Sequence, residues 1–294
     1  MIEYFDVVYE GFHCLQIKNQ QLSIWMTKDC GPRVIGLALA EGENLMVVLP
    51  EARIPVENGE DYSLRGGHRL WYAPEKPETT YLPDDTPVEI NRIPGGAEVI
   101  QTPDQPTGIQ KSWKMILDEN GPEVVIEHQL KNTGNESFLL APWAVTMLRP
   151  GGLGVIPLQQ DLSDPHGLWP NRQIVIWPYT DLSSPWLEIR NQAIRVVANL
   201  REGALKIGLP NPRGWVAYAL DGLLFVKKVD YDPAAEYLDR RASSQIYTNP
   251  TVIELETLGP VVDLLPGKST FHRETWQVYQ DGQWPEEISS LFKL

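Results

Sequence analysis

The hydrophobic positions of this chain recur in short apolar or alternating runs: LSIWMT (22–27), RVIGLALA (33–40), LMVVL (45–49), AEVIQT (97–102), KSWKMIL (111–117) and EVVIEHQLK (123–131). Gly, Pro, Asn and Asp separate them at the spacing of strands and turns. The segments DENGPE (118–123), KNTGNES (131–137) and ALDGLL (219–224) supply Gly and Asn, which adopt positive φ at little steric cost, and so read as hairpin turns. Helical periodicity is clearest in the C-terminal PEEISSLFKL, where Ile288, Leu291 and Phe292 fall three and four residues apart behind a proline and an acidic first turn. A short helix capping one edge is expected there. Strands and helices do not alternate, which argues against a doubly wound or TIM-type architecture. The pattern predicts an all-β chain, a large antiparallel β-sandwich with few short helices, folded as one domain over residues 1–294.

One segment breaks the rhythm. Between Pro74 and Pro106 the prolines and acids of PEKPETTYLPDDTPVEINRIPGGAEVIQTPDQP prevent regular ladders over much of the length, so a long loop is expected. Two readings stand for it: a lid over a binding site, or a proline-stiffened surface excursion. Charge narrows the partners. With 39 acidic against 25 basic residues the net charge is -14, which repels nucleic acid and anionic membranes on average. The N-terminus lacks the basic start and apolar run of a signal peptide, and no stretch reaches the length of a membrane span. A soluble, cytoplasmic protein is expected, with its two cysteines, Cys14 and Cys30, reduced and structural.

The five histidines lie far apart in sequence, without His-x-His, HExxH or Cys-x-x-Cys spacing, so no metal or other cofactor is expected. Neither a phosphate loop nor a GxSxG elbow is present. In TVIELETLGP (251–260), alternation puts Val252, Glu254, Glu256 and Leu258 on one face, so two carboxylates share it. That face is either plain solvent surface or the wall of a cleft. His128 alternates with Val124, Ile126 and Leu130 and reads as a satisfied core residue. Trp143 alternates with Leu139, Ala141, Val145 and Met147, for which packing is the default account; aromatic faces also suit the C–H face of a pyranose. The densest polar stretch is SLRGGHRLWYAPE (63–75). Its glycine pair permits a tight turn, and Arg65, His68, Arg69, Trp71 and Glu75 surround it. It reads as a sugar-binding rim, or as a bulge whose arginines pair with the acids of the following loop.

Four stretches together resemble the galactose mutarotase-like superfamily: GPRVIGLALAEGENLM (31–46), LRGGHRLWYAPE (64–75), LKNTGNESFLLAPWAVTMLRPGG (130–152) and ELETLGPVVDLLPGKSTFHRETWQVY (254–279). The resemblance implies an antiparallel supersandwich with a carbohydrate site on one sheet face, and a small-molecule sugar as partner. It assigns Glu256 the role of base toward the anomeric hydroxyl and places Arg65 at the substrate rim. The family's general-acid histidine has no counterpart, since the matching stretch reads APWAVT with Trp143. Anomerisation needs an acid as well as a base, and His68 is the candidate, with Arg65, Arg69, Trp71, Glu75 and Trp143 as substrate-binding residues. Three functions follow: an aldose 1-epimerase-like isomerase, a carbohydrate-binding protein that lacks the acid, or a lyase or glycosidase needing a further group.

Overall fold

Two large antiparallel sheets face each other across a core of aliphatic and aromatic side chains contributed by both. The structure, a computed structural model, describes residues 1–40, 42–57 and 60–293. The first sheet has eleven strands. Ten run side by side in the order Glu3–Tyr9, Phe12–Lys18, Leu22–Thr27, Arg33–Leu39, His68–Ala73, Phe138–Leu148, Val252–Leu258, Ser244–Asn249, Leu205–Leu209 and Val175–Ile176, and Val262–Leu264 adds to Phe138–Leu148. The second has ten, in the order Leu187–Ile189, Ala193–Val197, Leu153–Pro157, Trp215–Leu220, Leu223–Val229, Ser269–Gln280, Glu123–Asn132, Ile109–Leu117, Gly96–Ile100 and Glu89–Ile93. A two-stranded ribbon, Val48–Ile54 with Tyr62–Gly66, lies beside the first sheet. No helix among the described residues is long and apolar enough to cross a membrane.

The turn chemistry is visible in the hairpins. Asp221 and Gly222 both take positive φ, 51° and 78°, and join Trp215–Leu220 to Leu223–Val229 by a two-residue turn. Residues 118–122 close Ile109–Leu117 onto Glu123–Asn132. KNTGNES differs from the expectation: it carries the chain from the second sheet into the first, because the strands on either side of it pair with different partners. The C-terminal segment also differs. Its one-turn helix, Glu286–Ser289, covers the outer face of the second sheet, where Ile288 packs with Trp215, Leu224 and Val226. In the proline-rich segment the alternation of EINRI and GAEVI prevails, and residues 89–100 form a hairpin; the irregular loop is confined largely to 74–88 and 101–108.

The glycine pair of SLRGGHR has a steric reason. Gly66 and Gly67 take φ of 81° and 69°, and a Cβ on either would stand 2.1 Å from a backbone oxygen, Val47 O or Val34 O. Only glycine lets the chain leave the small ribbon and enter the large sheet at this approach. From that point alternation decides which side chains go inward. His68, Leu70 and Tyr72 face the second sheet, while Arg69, Trp71 and Ala73 face away from it.

Candidate functional site

Register across five neighbouring strands assembles the site on the face of the first sheet turned away from the second. Three rows cross it. Trp71 pairs with Trp143, which pairs with Leu258; Arg69 with Val145, then Glu256, then Gln245; Met147 with Glu254, then Tyr247, then Lys206. Residues distant in sequence thus become neighbours because their strands are hydrogen-bonded in this order. A cleft of about 530 Å³ opens above them, with Trp71, Trp143, Tyr81, Tyr179 and Tyr247 among its walls and Arg69, Lys206 and Glu254 in its lining. Glu254 and Glu256 do share a face, and it is this one.

Two ion pairs organise the polar part. Lys206 Nζ lies 2.8 Å from Glu256 Oε2, and Trp143 Nε1 donates to the same oxygen at 2.7 Å. The ammonium also stands 4.9 Å from the ring centroids of both Trp143 and Trp177. Burial disfavours the ammonium, but Glu256 beside it more than offsets this and holds the Lys206 pKa above the usual lysine value. Arg69 stacks on Trp71, with Cζ 3.8 Å from the ring centroid, and reaches Glu254 Oε1 at a long 3.4 Å. Its other polar partner is the weak acceptor Met147 Sδ, and its buried Nε–H has no acceptor among the described residues. Glu256 Oε1 is likewise buried without a donor among the described residues. Burial raises the Glu254 pKa, Arg69 draws it down and Glu256 raises it again, leaving it at about 7. At neutral pH this carboxyl both holds and releases a proton.

The loop 74–88 forms one rim. Tyr81 stands edge-on to Trp71, with centroids 5.5 Å apart, and its hydroxyl donates to Glu75, so both loop residues line the cleft. Asp84 fixes the loop from behind, accepting from Arg33 at 2.7 Å and Arg65 at 2.9 Å. Burial pushes the Asp84 carboxyl up, yet the two guanidinium groups outweigh this and hold it below the usual carboxylate range.

Of the residues expected from sequence, Arg69, Trp71, Glu75 and Trp143 line the cleft. Three are placed otherwise. Arg65 turns to Asp84 and Asp85 and is outside the cleft lining, so the reading of arginines paired with the following acids holds for it. Glu256 lies one layer below the cleft, fully buried beneath Trp143 and Lys206. His68 corrects the expectation of an acid at the sugar: it is on the opposite face of its strand, fully buried between the sheets. There its Nδ1 meets Thr146 Oγ1 at 2.9 Å and its Nε2 meets His128 Nε2 at 2.8 Å. Burial drives its pKa well below 6.5, and that of His128 to about 4, so both rings are neutral. His128 is the core residue its strand pattern indicated.

His68, His128 and Glu274 bring metal-type donor atoms within 4.8 Å of one another. A cation already sits among them. Lys227 Nζ is 2.9 Å from Glu274 Oε1 and also donates to Thr146 Oγ1 and the carbonyls of Ala144 and Leu255. The arrangement is a buried ion-pair network that ties the strands bearing Trp143 and Glu254 from behind. Sequence reasoning did not single out Lys206, Tyr81, Tyr179 or Tyr247. In LKIGL (205–209) alternation turns Leu205, Ile207 and Leu209 toward the core and leaves Lys206 at the polar, outward position, so the sequence alone gave no signal that Lys206 is buried in a site.

No family model matches the chain, and no curated protein matches it. Solved structures do. A galactose mutarotase-like protein from Lactobacillus casei ATCC 334 is 9% identical with a TM-score of 0.59, over 90% of this chain and 100% of that one. A candidate aldose 1-epimerase from Escherichia coli K12 is 10% identical with a TM-score of 0.54, over 95% of this chain and 100% of that one. A TPR-domain containing protein from Parabacteroides distasonis ATCC 8503 is 15% identical with a TM-score of 0.53, over 96% of this chain and 49% of that one. At these identities the likeness is one of fold.

Proposed function

We propose that this chain, which has the galactose mutarotase-like fold, binds a sugar in the cleft and interconverts its anomers by acid/base ring opening. One observation carries the reading: a carboxyl with a pKa of about 7, Glu254, stands in a cleft walled by five aromatic side chains beside a guanidinium whose donors are poorly used. Aromatic rings accept the C–H face of a pyranose, and a sugar hydroxyl gives Arg69 the acceptor that the protein does not. Half protonated at pH 7, Glu254 donates to the ring oxygen. A carboxylate takes the proton from O1, the ring opens, C1 rotates, and closure with the reverse transfers yields the other anomer. Glu256 is the candidate for that second role through Oε1, and the Trp143 or Lys206 side chain must give way for a sugar to reach it.

That burial favours a second reading, a carbohydrate-binding protein without catalysis. Among the described residues no histidine lines the cleft, and the fully buried Glu256 is held by two donors. The test follows single-anomer aldoses by polarimetry with wild type, Glu254→Gln and Glu256→Gln. Isomerase activity predicts accelerated mutarotation, reduced about 10²-fold or more in Glu254→Gln. Sugar binding without acceleration across the panel selects the second reading, and equal acceleration by wild type and Glu254→Gln rejects the mechanism.

A further inference from the structure

We propose that a basic groove on another part of the surface is a binding site for an acidic oligosaccharide, one bearing carboxylates such as uronic acids. Two depressions of about 600 and 590 Å³ adjoin and share Pro212 and Tyr231 in their walls. Arg172 and Arg241 line the first, and Arg213, Lys228 and Arg273 line the second. All five are exposed, and among the described residues none of them makes an ion pair with a carboxylate. The acids in the two linings are Asp161 and Asp230. The local balance is therefore positive on a chain whose net charge is -14.

The fold holds these charges in place. Lys228 and Arg273 project from neighbouring strands, with Lys228 opposite Thr275 in register, so the two cations are diagonal neighbours on the outer face of the second sheet. Like charges at such a distance oppose each other unless an anion lies between them. Glu127, directly across from Arg273, makes no ion pair with it. At the other depression, Asp239, Arg240 and Arg241 take φ of 51°, 55° and 72°, a run of left-handed residues without a glycine. Such a conformation persists only where its surroundings enforce it. Gln173 Nε2 donates to Arg240 O at 2.6 Å, Gln245 Nε2 to Asp239 Oδ2 at 2.8 Å, and Ala242 N–H to Asp239 O at 3.2 Å. Arg172 and Arg241 each use one donor on a backbone carbonyl, Gln159 O or Pro233 O, which orients the guanidinium and leaves its remaining N–H groups for a ligand.

The ligand is polyanionic because the cations recur along both depressions. A glycan fits better than a nucleic acid: the chain's overall negative field opposes a long polyphosphate, while a short acidic glycan stays within the local positive patch. Tyr231, stacked on Tyr237 with centroids 5.1 Å apart, offers a braced aromatic wall at the junction. The proposal is independent of catalysis in the cleft.

Calorimetric titration with an oligogalacturonate, a neutral galacto-oligosaccharide of equal length and a single-stranded oligodeoxynucleotide tests it. The expected result is binding of the oligogalacturonate that weakens as salt rises, with the neutral chain inert. Arg172→Ala with Arg241→Ala, and Arg213→Ala with Arg273→Ala, each weaken it about tenfold by removing two charge-assisted contacts. Lys131→Ala, at an exposed cation outside both depressions, leaves the affinity at the wild-type value. Each exposed-site variant is checked for an unchanged melting temperature. Absence of binding, equal binding in both groove variants, or equal binding of the oligodeoxynucleotide overturns the proposal.

Discussion

Replacing Glu254 by glutamine keeps the length of the side chain and its acceptor oxygen and removes only its ionisation. The carboxyl has an ordinary pKa of 4.5 and stands at about 7 in the folded chain, where burial and then Glu256 oppose its charge and Arg69 favours it. A carboxyl harder to ionise when folded binds its proton more tightly there. Its contribution to stability is therefore complete below pH 4.5 and lost as pH rises through about 7. Each tenfold in proton affinity corresponds to about 1.4 kcal/mol, so the contribution is of order 3 kcal/mol. With roughly 2.1 cal/mol/K of unfolding entropy per residue, a chain of 294 residues converts this to about 5 °C in melting temperature. Glutamine does not titrate. The melting temperature of Glu254→Gln minus that of wild type should therefore rise by about 5 °C between pH 4 and pH 8, whatever constant offset the lost contact with Arg69 adds. Using the difference removes the opposing titration of His128, whose folded pKa of about 4 makes stability increase with pH up to 6.5. Calorimetric melts of both proteins across that range provide the measurement. A difference that stays flat, or falls with pH, would show that Arg69 holds Glu254 ionised, and would remove the acid from the proposed chemistry.

Two further outcomes concern the support of the site. Glu274→Gln strands the fully buried Lys227 ammonium, now 2.9 Å from the carboxylate, and should cost about 3 to 5 kcal/mol in denaturant unfolding, with Lys227→Met plus Glu274→Leu costing less; a loss within error of zero would show the network to be dispensable. Trp143→Ala removes a ring packed at 5.2 Å from Trp71 and a donor to Glu256, so it should lower stability by about 3 to 5 kcal/mol and weaken sugar binding as well, and unchanged affinity would leave Trp143 a packing residue only.

The alternation of apolar and polar residues by itself determined that this chain is an antiparallel β-sandwich and which face of each strand a residue takes, because the side-chain period of a strand is two whatever its neighbours. Glu254 and Glu256 share a face on that ground alone, and His128 is turned inward with Val124 and Ile126. The same rule separates His68 from Arg69. It became decisive only once the strand His68–Ala73 was seen to begin after the two glycines and to have an opposite strand, Glu123–Asn132, from which His128 reaches His68. Strand order is a property of pairing between segments far apart in sequence. It decided that Trp71, Trp143, Glu256, Tyr247 and Lys206 lie across one surface, and that the basic residues from 172 to 273 meet around Tyr231. Burial was decided at the same level. The proton affinity of Glu254 and the neutrality of His68 follow from how much water each environment excludes and which charges it brings near, and neither quantity exists until the sheets are packed.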